Sequence, residues 1–159
     1  MIDLDVIAEA GEWTRLDSPD DLARRAVEAA FAVASDAPRE EVEISLLLTD
    51  DAGIRALNRA WRGKDKPTNV LSFPAPDQPG IQGPRHLGDM ALALETLARE
   101  AEEESKTLAD HFAHLVVHGT LHLLGYDHEL EAQAEIMESL EVKALATLGI
   151  ADPYGDMAA

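Results

Sequence analysis

No part of the sequence leaves fewer conformations open than HFAHLVVHGTLHLLGYDHE, from His111 to Glu129. His118 and His122 are four residues apart, so on a helix their imidazoles share one face about one turn apart. Three residues later Gly125 offers the left-handed backbone that ends helices. The chain then turns, and His128 can swing back towards the same point. An i, i+4 histidine pair also arises by accident on partly buried helices; the glycine break and the third histidine in reach favour a metal. Three neutral imidazoles leave one position of a tetrahedral site for water, as in a catalytic zinc centre. His111 and His114 lie earlier on a similar face and are read as surface residues or supports of the ligands. His86 falls in a proline-rich loop and carries no expected role.

A chain of 159 residues is long enough for one domain and short for two. Hydrophobic residues make up 46% and aromatics only 4%, so aliphatic side chains must build the core. The absence of cysteine removes disulfides, iron–sulfur clusters and thiolate zinc sites, and fits a reducing compartment. The segment MIDLDVIAEAGEW carries acids where a signal peptide needs bases, and the apolar runs are too short for a membrane span. A cytoplasmic protein without a membrane partner is the expectation. The net charge of −18 opposes binding to any polyanion. Its distribution is uneven, since Arg55, Arg59, Arg62, Lys64 and Lys66 fall in one short window against a single acid, Asp65. That island is either a local anion site or chance clustering. The acids Glu100, Glu102, Glu103 and Glu104, and again Glu129, Glu131, Glu135, Glu138 and Glu141, read as solvated helix faces.

Periodicity gives an α+β pattern. Strands are predicted at 2–7, 41–49, 69–73 and 87–94. A helix is predicted from about Pro19, with Ser18 as N-cap. Another, capped by Asp50 or Asp51, carries Ile54, Leu57 and Trp61 and ends at Gly63. Residues 64–68 and 74–84 read as loops. Two helices close the chain, about Leu108–Leu124 and about Leu130–Leu148.

The histidine spacing resembles the metzincin pattern H-E-x-x-H-x-x-G-x-x-H, with His118, His122, His128 and Gly125 in place. Gly119 stands where those proteases keep a glutamate, the base that takes a proton from water and passes it to the leaving amine. A conventional protease is therefore not expected. The same string, HGTLHLLGYDH, is similar to the H-G-x-L-H-L-x-G-Y-D-H signature of the YbeY family. WRGKDKPTNVLSFP (61–74) resembles that family's other hallmark, and LGDMAL (87–92) and LGIADPYGD (148–156) also look like its sequences. The resemblance covers nearly the whole chain, in order.

What the resemblance implies is a single α+β domain over residues 1–159, with a mixed four-stranded sheet flanked by helices. It implies one zinc-like ion held by His118, His122 and His128, although three imidazoles also suit nickel, copper or iron. It implies a single-strand-directed endoribonuclease that matures ribosomal RNA, including the 16S rRNA 3′ end, and acts in ribosome quality control. Partners implied are ribosomal RNA, a small-subunit ribosomal protein and the GTPase Era, with no role for DNA. Arg62 and His118 are the expected catalytic residues, with Arg62, Lys64 and Lys66 meeting RNA phosphates. A guanidinium suits a phosphate through its fork of donors, though an arginine there also suits a helix C-terminus. Asp65 is expected to hold the loop. Asp127 either orients a ligand or caps the next helix, Tyr126 is read as core, and Asp89 is a further site candidate. Two other readings remain: a metal hydrolase with a non-RNA substrate, and a ribosome-associated adaptor with a structural metal.

Overall fold

Alternating apolar residues bring four strands into one sheet in a computed structural model that describes residues 2–76, 85–127 and 129–154. The strands are β1 (Ile2–Ala8), β2 (Val42–Thr49), β3 (Val70–Pro74) and β4 (Arg85–Ala93), in the order β1-β2-β4-β3. β1, β2 and β4 run parallel, and β3 closes the edge antiparallel to β4, so the sheet is mixed. Leu4 lies beside Ile44, Leu46 beside Met90, and Ser72 beside Met90 from the other side.

From Met90 on, β4 is buried on both faces and is continuously apolar. Met90 and Leu92 face the larger core, while Ala91 and Ala93 face a smaller one. The larger core is filled by α1 (Pro19–Val33), α4 (Leu108–Leu123) and α5 (Glu131–Thr147). The smaller one is closed by Ile54 and Leu57 of α2 (Asp51–Arg62) against Leu71 and Phe73. α4 is buried on nearly every side, which identifies it as the central helix of the domain. Among the described residues no helix is long and apolar enough to cross a membrane.

Several expectations change. Ser18 occupies the N-cap position of α1 in left-handed backbone (φ 50°), and its hydroxyl makes no capping bond. Asp50, by contrast, caps α2 by accepting from the Gly53 N–H at 2.8 Å. Trp61 does not join the core of α2 and stands 72% exposed. His86 lies in β4 rather than in a loop and pairs with Asp89 at 3.2 Å. Helix α3 (Leu94–Glu103), of which the sequence suggested an acidic face and not the extent, follows β4 without a loop. Residues 77–84 of the predicted loop lie outside the described residues.

Candidate metal centre

The last turns of α4 carry His118 and His122, half-buried on the rim of a helix that is otherwise core. Their Nε2 atoms converge to 3.1 Å. Two nitrogens that bind one ion at about 2.0–2.1 Å and the tetrahedral angle stand about 3.3 Å apart, so this pair fits a shared zinc-type ion. His128 lies outside the described residues, and among the described residues no group of three or more candidate ligands assembles. Beyond the two histidines, Leu124 closes α4 and Gly125 takes φ +101°, the left-handed turn that its position in the sequence demands. Tyr126, half-buried, donates its hydroxyl to Asp36 at 2.6 Å and ties this turn to the segment after α1. That bond, with burial, pushes the phenol up to about 12. Asp127 is half-buried in the same turn.

Behind His118 lies a carboxylate that the sequence reading assigned to solvent. Glu141 of α5 is fully buried. Its Oε2 is 3.1 Å from His118 Nδ1, and its Oε1 is 2.6 Å from His114 Nε2. Tyr154 donates its hydroxyl to the same Oε1 at 2.7 Å. Burial alone would raise this carboxyl; the bonds from His114, His118 and Tyr154 together outweigh it and hold it at about 2. Tyr154 is driven upward in turn by burial and by the Glu141 charge. An ionised Glu141 fixes the proton of His118 on Nδ1 and leaves the Nε2 lone pair facing His122. This carboxylate–histidine arrangement orients a ligand and raises its basicity.

His114 is thus a buried support of Glu141 and not a surface residue. His111 is buried too, with its Nε2 2.9 Å from Glu100 Oε1, and Glu100 also accepts from Asn69 at 3.0 Å. Glu100 and Glu141 are the two acids whose solvated reading fails. Glu102, Glu103, Glu104, Glu129, Glu131, Glu135 and Glu138 are exposed as expected. For Glu141 the sequence did carry a signal: it lies four residues from Met137 and four from Leu145, on the one apolar stripe of α5.

Gly119 follows His118 and faces β3 and β4. A Cβ there would stand 2.6 Å from Met90 Sδ and 3.0 Å from Ser72 Oγ. The glutamate of the protease pattern has no room at this position, because the helix leans on the sheet through Gly119 itself.

The basic island sits across β3. Arg62, in the last turn of α2, donates from Nη2 to the Ser72 carbonyl at 3.1 Å, and its guanidinium lies 5.9 Å from the Phe73 ring centre. Ser72 Oγ in turn donates to the Gly119 carbonyl at 3.4 Å, which joins the arginine's strand to the helix of His118 and His122. Arg62 therefore leaves its own helix terminus and binds the sheet edge. Asp65 holds the loop as expected, by a two-pronged pair with Arg55 at 2.8 and 3.2 Å. Asn58, nearly fully buried, donates to the Lys66 carbonyl at 3.0 Å and pins the loop a second time. Lys64 and Lys66 remain exposed. Asp89 is exposed beside His86 on β4.

The sequence matches the family model described as Endoribonuclease YbeY over residues 12–149. A relative named Endoribonuclease YbeY from Bradyrhizobium sp. strain BTAi1 is 54% identical over 156 residues, covering 96% of this chain and 92% of its own. Another of that name, from Azorhizobium caulinodans, is 53% identical and covers 96% of each chain. A solution structure of a Thermotoga maritima protein is similar in fold, with TM-score 0.55 at 24% identity over 94% of this chain and 92% of that one.

Proposed function

This chain belongs to the YbeY family of endoribonucleases, and from that premise we propose that it is a metal-dependent enzyme cleaving single-stranded ribosomal RNA. The observation that carries the reading is the convergence of His118 and His122 at the end of α4, with His118 held from behind by ionised Glu141. His118, His122 and His128 would hold one zinc ion, and all of residues 1–159 would serve that one active unit. A zinc ion so held supplies Lewis acidity to a phosphodiester. Arg62 uses one guanidinium nitrogen on the Ser72 carbonyl and keeps further N–H donors for a phosphate oxygen. In that role it stabilises charge that grows on phosphorus. Lys64 and Lys66, on a loop fixed by Asn58 and Asp65, meet neighbouring phosphates as point charges.

The processing of the 16S rRNA 3′ end and ribosome quality control in the cytoplasm are the setting we propose. An acidic chain with so few cations at its site gains little affinity from phosphates alone. A protein anchor on the ribosome, such as a small-subunit protein or the GTPase Era, would raise the effective concentration of the RNA end.

The test pairs metal content with cleavage. Untagged protein should carry about one zinc per chain and cut single-stranded RNA while sparing duplex. His122→Ala should lose both metal and cleavage. Arg62→Ala should keep its metal and lose about 100-fold in single-turnover cleavage, the scale of one donor to developing charge. Full cleavage by Arg62→Ala would remove that residue from the reaction, and full metal retention in His122→Ala would remove the centre.

A further inference from the structure

The two tryptophans of the chain are used in opposite ways. Trp13 is 4% exposed and donates its indole N–H to the Ala10 and Thr49 carbonyls at 3.0 and 3.2 Å, so it is a structural residue. Trp61 is 72% exposed, more than any other large hydrophobic side chain among the described residues. α2 does not need it, since Ile54 and Leu57 already make that helix's contact with the sheet. Yet Trp61 has company. Its ring centre lies 6.2 Å from that of Phe73, and Phe73 lies 5.9 Å from the Arg62 guanidinium.

We propose that Trp61 and Phe73, flanked by Arg62, form a stacking platform for a base of single-stranded RNA, beside the phosphate that Arg62 meets. The proposal rests on the endoribonuclease reading above and extends it to how the substrate is gripped. Three lines of chemistry meet at this spot. First, two aromatic rings and a guanidinium offer planar faces, on which a base gains stacking and cation–π energy. Second, Arg59, Arg62, Lys64 and Lys66 share this turn and its loop, while Arg55 is neutralised by Asp65. In a chain of net charge −18 this is where a polyanion can approach. Trp and Arg also anchor protein interfaces, and it is the cluster of four cations in an otherwise acidic chain that favours a polyanion here.

Third, the platform is next to the centre. Arg62 binds the Ser72 carbonyl, and Ser72 Oγ binds the carbonyl of Gly119, the neighbour of His118. Only β3 separates the rings from the ligand helix. A duplex keeps its bases stacked inside and offers none to Trp61, so the platform also accounts for a preference for single strands. Because every base has a π-face, it adds affinity with little choice of sequence.

The experiment measures binding of a short single-stranded oligoribonucleotide to the full chain in chelator, where no cleavage occurs. Trp61→Ala should weaken binding about tenfold, and Trp61→Phe should stay within about threefold of wild type. Ile7→Ala, which trims an exposed side chain on the far edge strand β1, should bind as wild type. An oligomer of the same length lacking bases should bind wild type and Trp61→Ala equally. The part of the tryptophan emission that Trp61→Phe removes should be quenched by the single strand and not by the same strand in a duplex. If Trp61→Ala binds RNA as wild type while Arg62→Ala loses affinity, RNA lies on this edge without stacking and the platform is refuted. If the wild type neither binds nor cuts single-stranded RNA, the endoribonuclease reading fails and the platform falls with it.

Discussion

Glu141→Gln keeps the size of a side chain that three groups touch and removes the charge that fixes His118. The amide can still accept from one imidazole, but its NH2 now meets a donor at the other oxygen's former place. Zinc affinity should fall about 10–100-fold, the usual loss when a ligand's carboxylate partner is removed. Competition with a chromophoric chelator measures it, and unchanged affinity would mean that Glu141 only fills space. Tyr154→Phe removes one of the three bonds and should cost about 1 kcal/mol in denaturant unfolding of the metal-free protein. Residues of this kind divide sharply in what the sequence discloses. His118 and His122 were legible because helical spacing alone puts two imidazoles on one face. Glu141 was missed, because its charge was weighed before the stripe Met137–Glu141–Leu145, and the partners that hold it ionised, His114 and His118, lie more than twenty residues away. Trp61 misled in the opposite sense: its spacing from Ile54 and Leu57 suggested core, and the structure leaves it in water.

At the scale of elements, the packing of α4 on the sheet decides what chemistry the site can host. Gly119→Glu restores the protease pattern in the sequence and should not create a protease. The carboxylate would be driven into Met90 and Ser72 within a closed core, a cost of about 3 kcal/mol or more from overpacking and a buried charge. Thermal unfolding should show a clearly lower midpoint, and a variant as stable as wild type would show that α4 can lift from the sheet. Helix ends explain where the sequence was silent. α3 begins at Leu94 directly after β4, with Ala93 in the N-cap position, so neither a turn residue nor a capping side chain marks its start. Its cap comes from 45 residues away, where Asp51 Oδ1 accepts from the Thr96 N–H at 3.2 Å and from its hydroxyl at 2.7 Å. Glu95 returns the service to the Asp51 N–H at 2.8 Å. Such reciprocal capping between two helix starts is invisible to local pattern. The strands and the other four helices were legible because each holds apolar residues at a usable length with at least one clear breaker beside it.

For the whole molecule, the question is how an acidic protein manages RNA. Four cations at the candidate surface, each neutralising one phosphate at a slope of about −0.7, set a limit of about −3 for log affinity against log salt. A salt titration giving a much steeper slope would place the RNA on some other face. Metal binding should be felt throughout: zinc at about 100 times its dissociation constant adds about 2.7 kcal/mol of stability by mass action. Chelation should therefore lower the melting midpoint of wild type and leave that of His122→Ala where it was. The burial of α4 carries this further. A helix that is core on nearly every side cannot open alone, so its amide hydrogens from Val116 to Leu121 should exchange with deuterium only when the entire domain unfolds. The backbone that presents His118 and His122 would then be the slowest-exchanging segment of the chain, and its exchange a direct readout of the free energy of global unfolding.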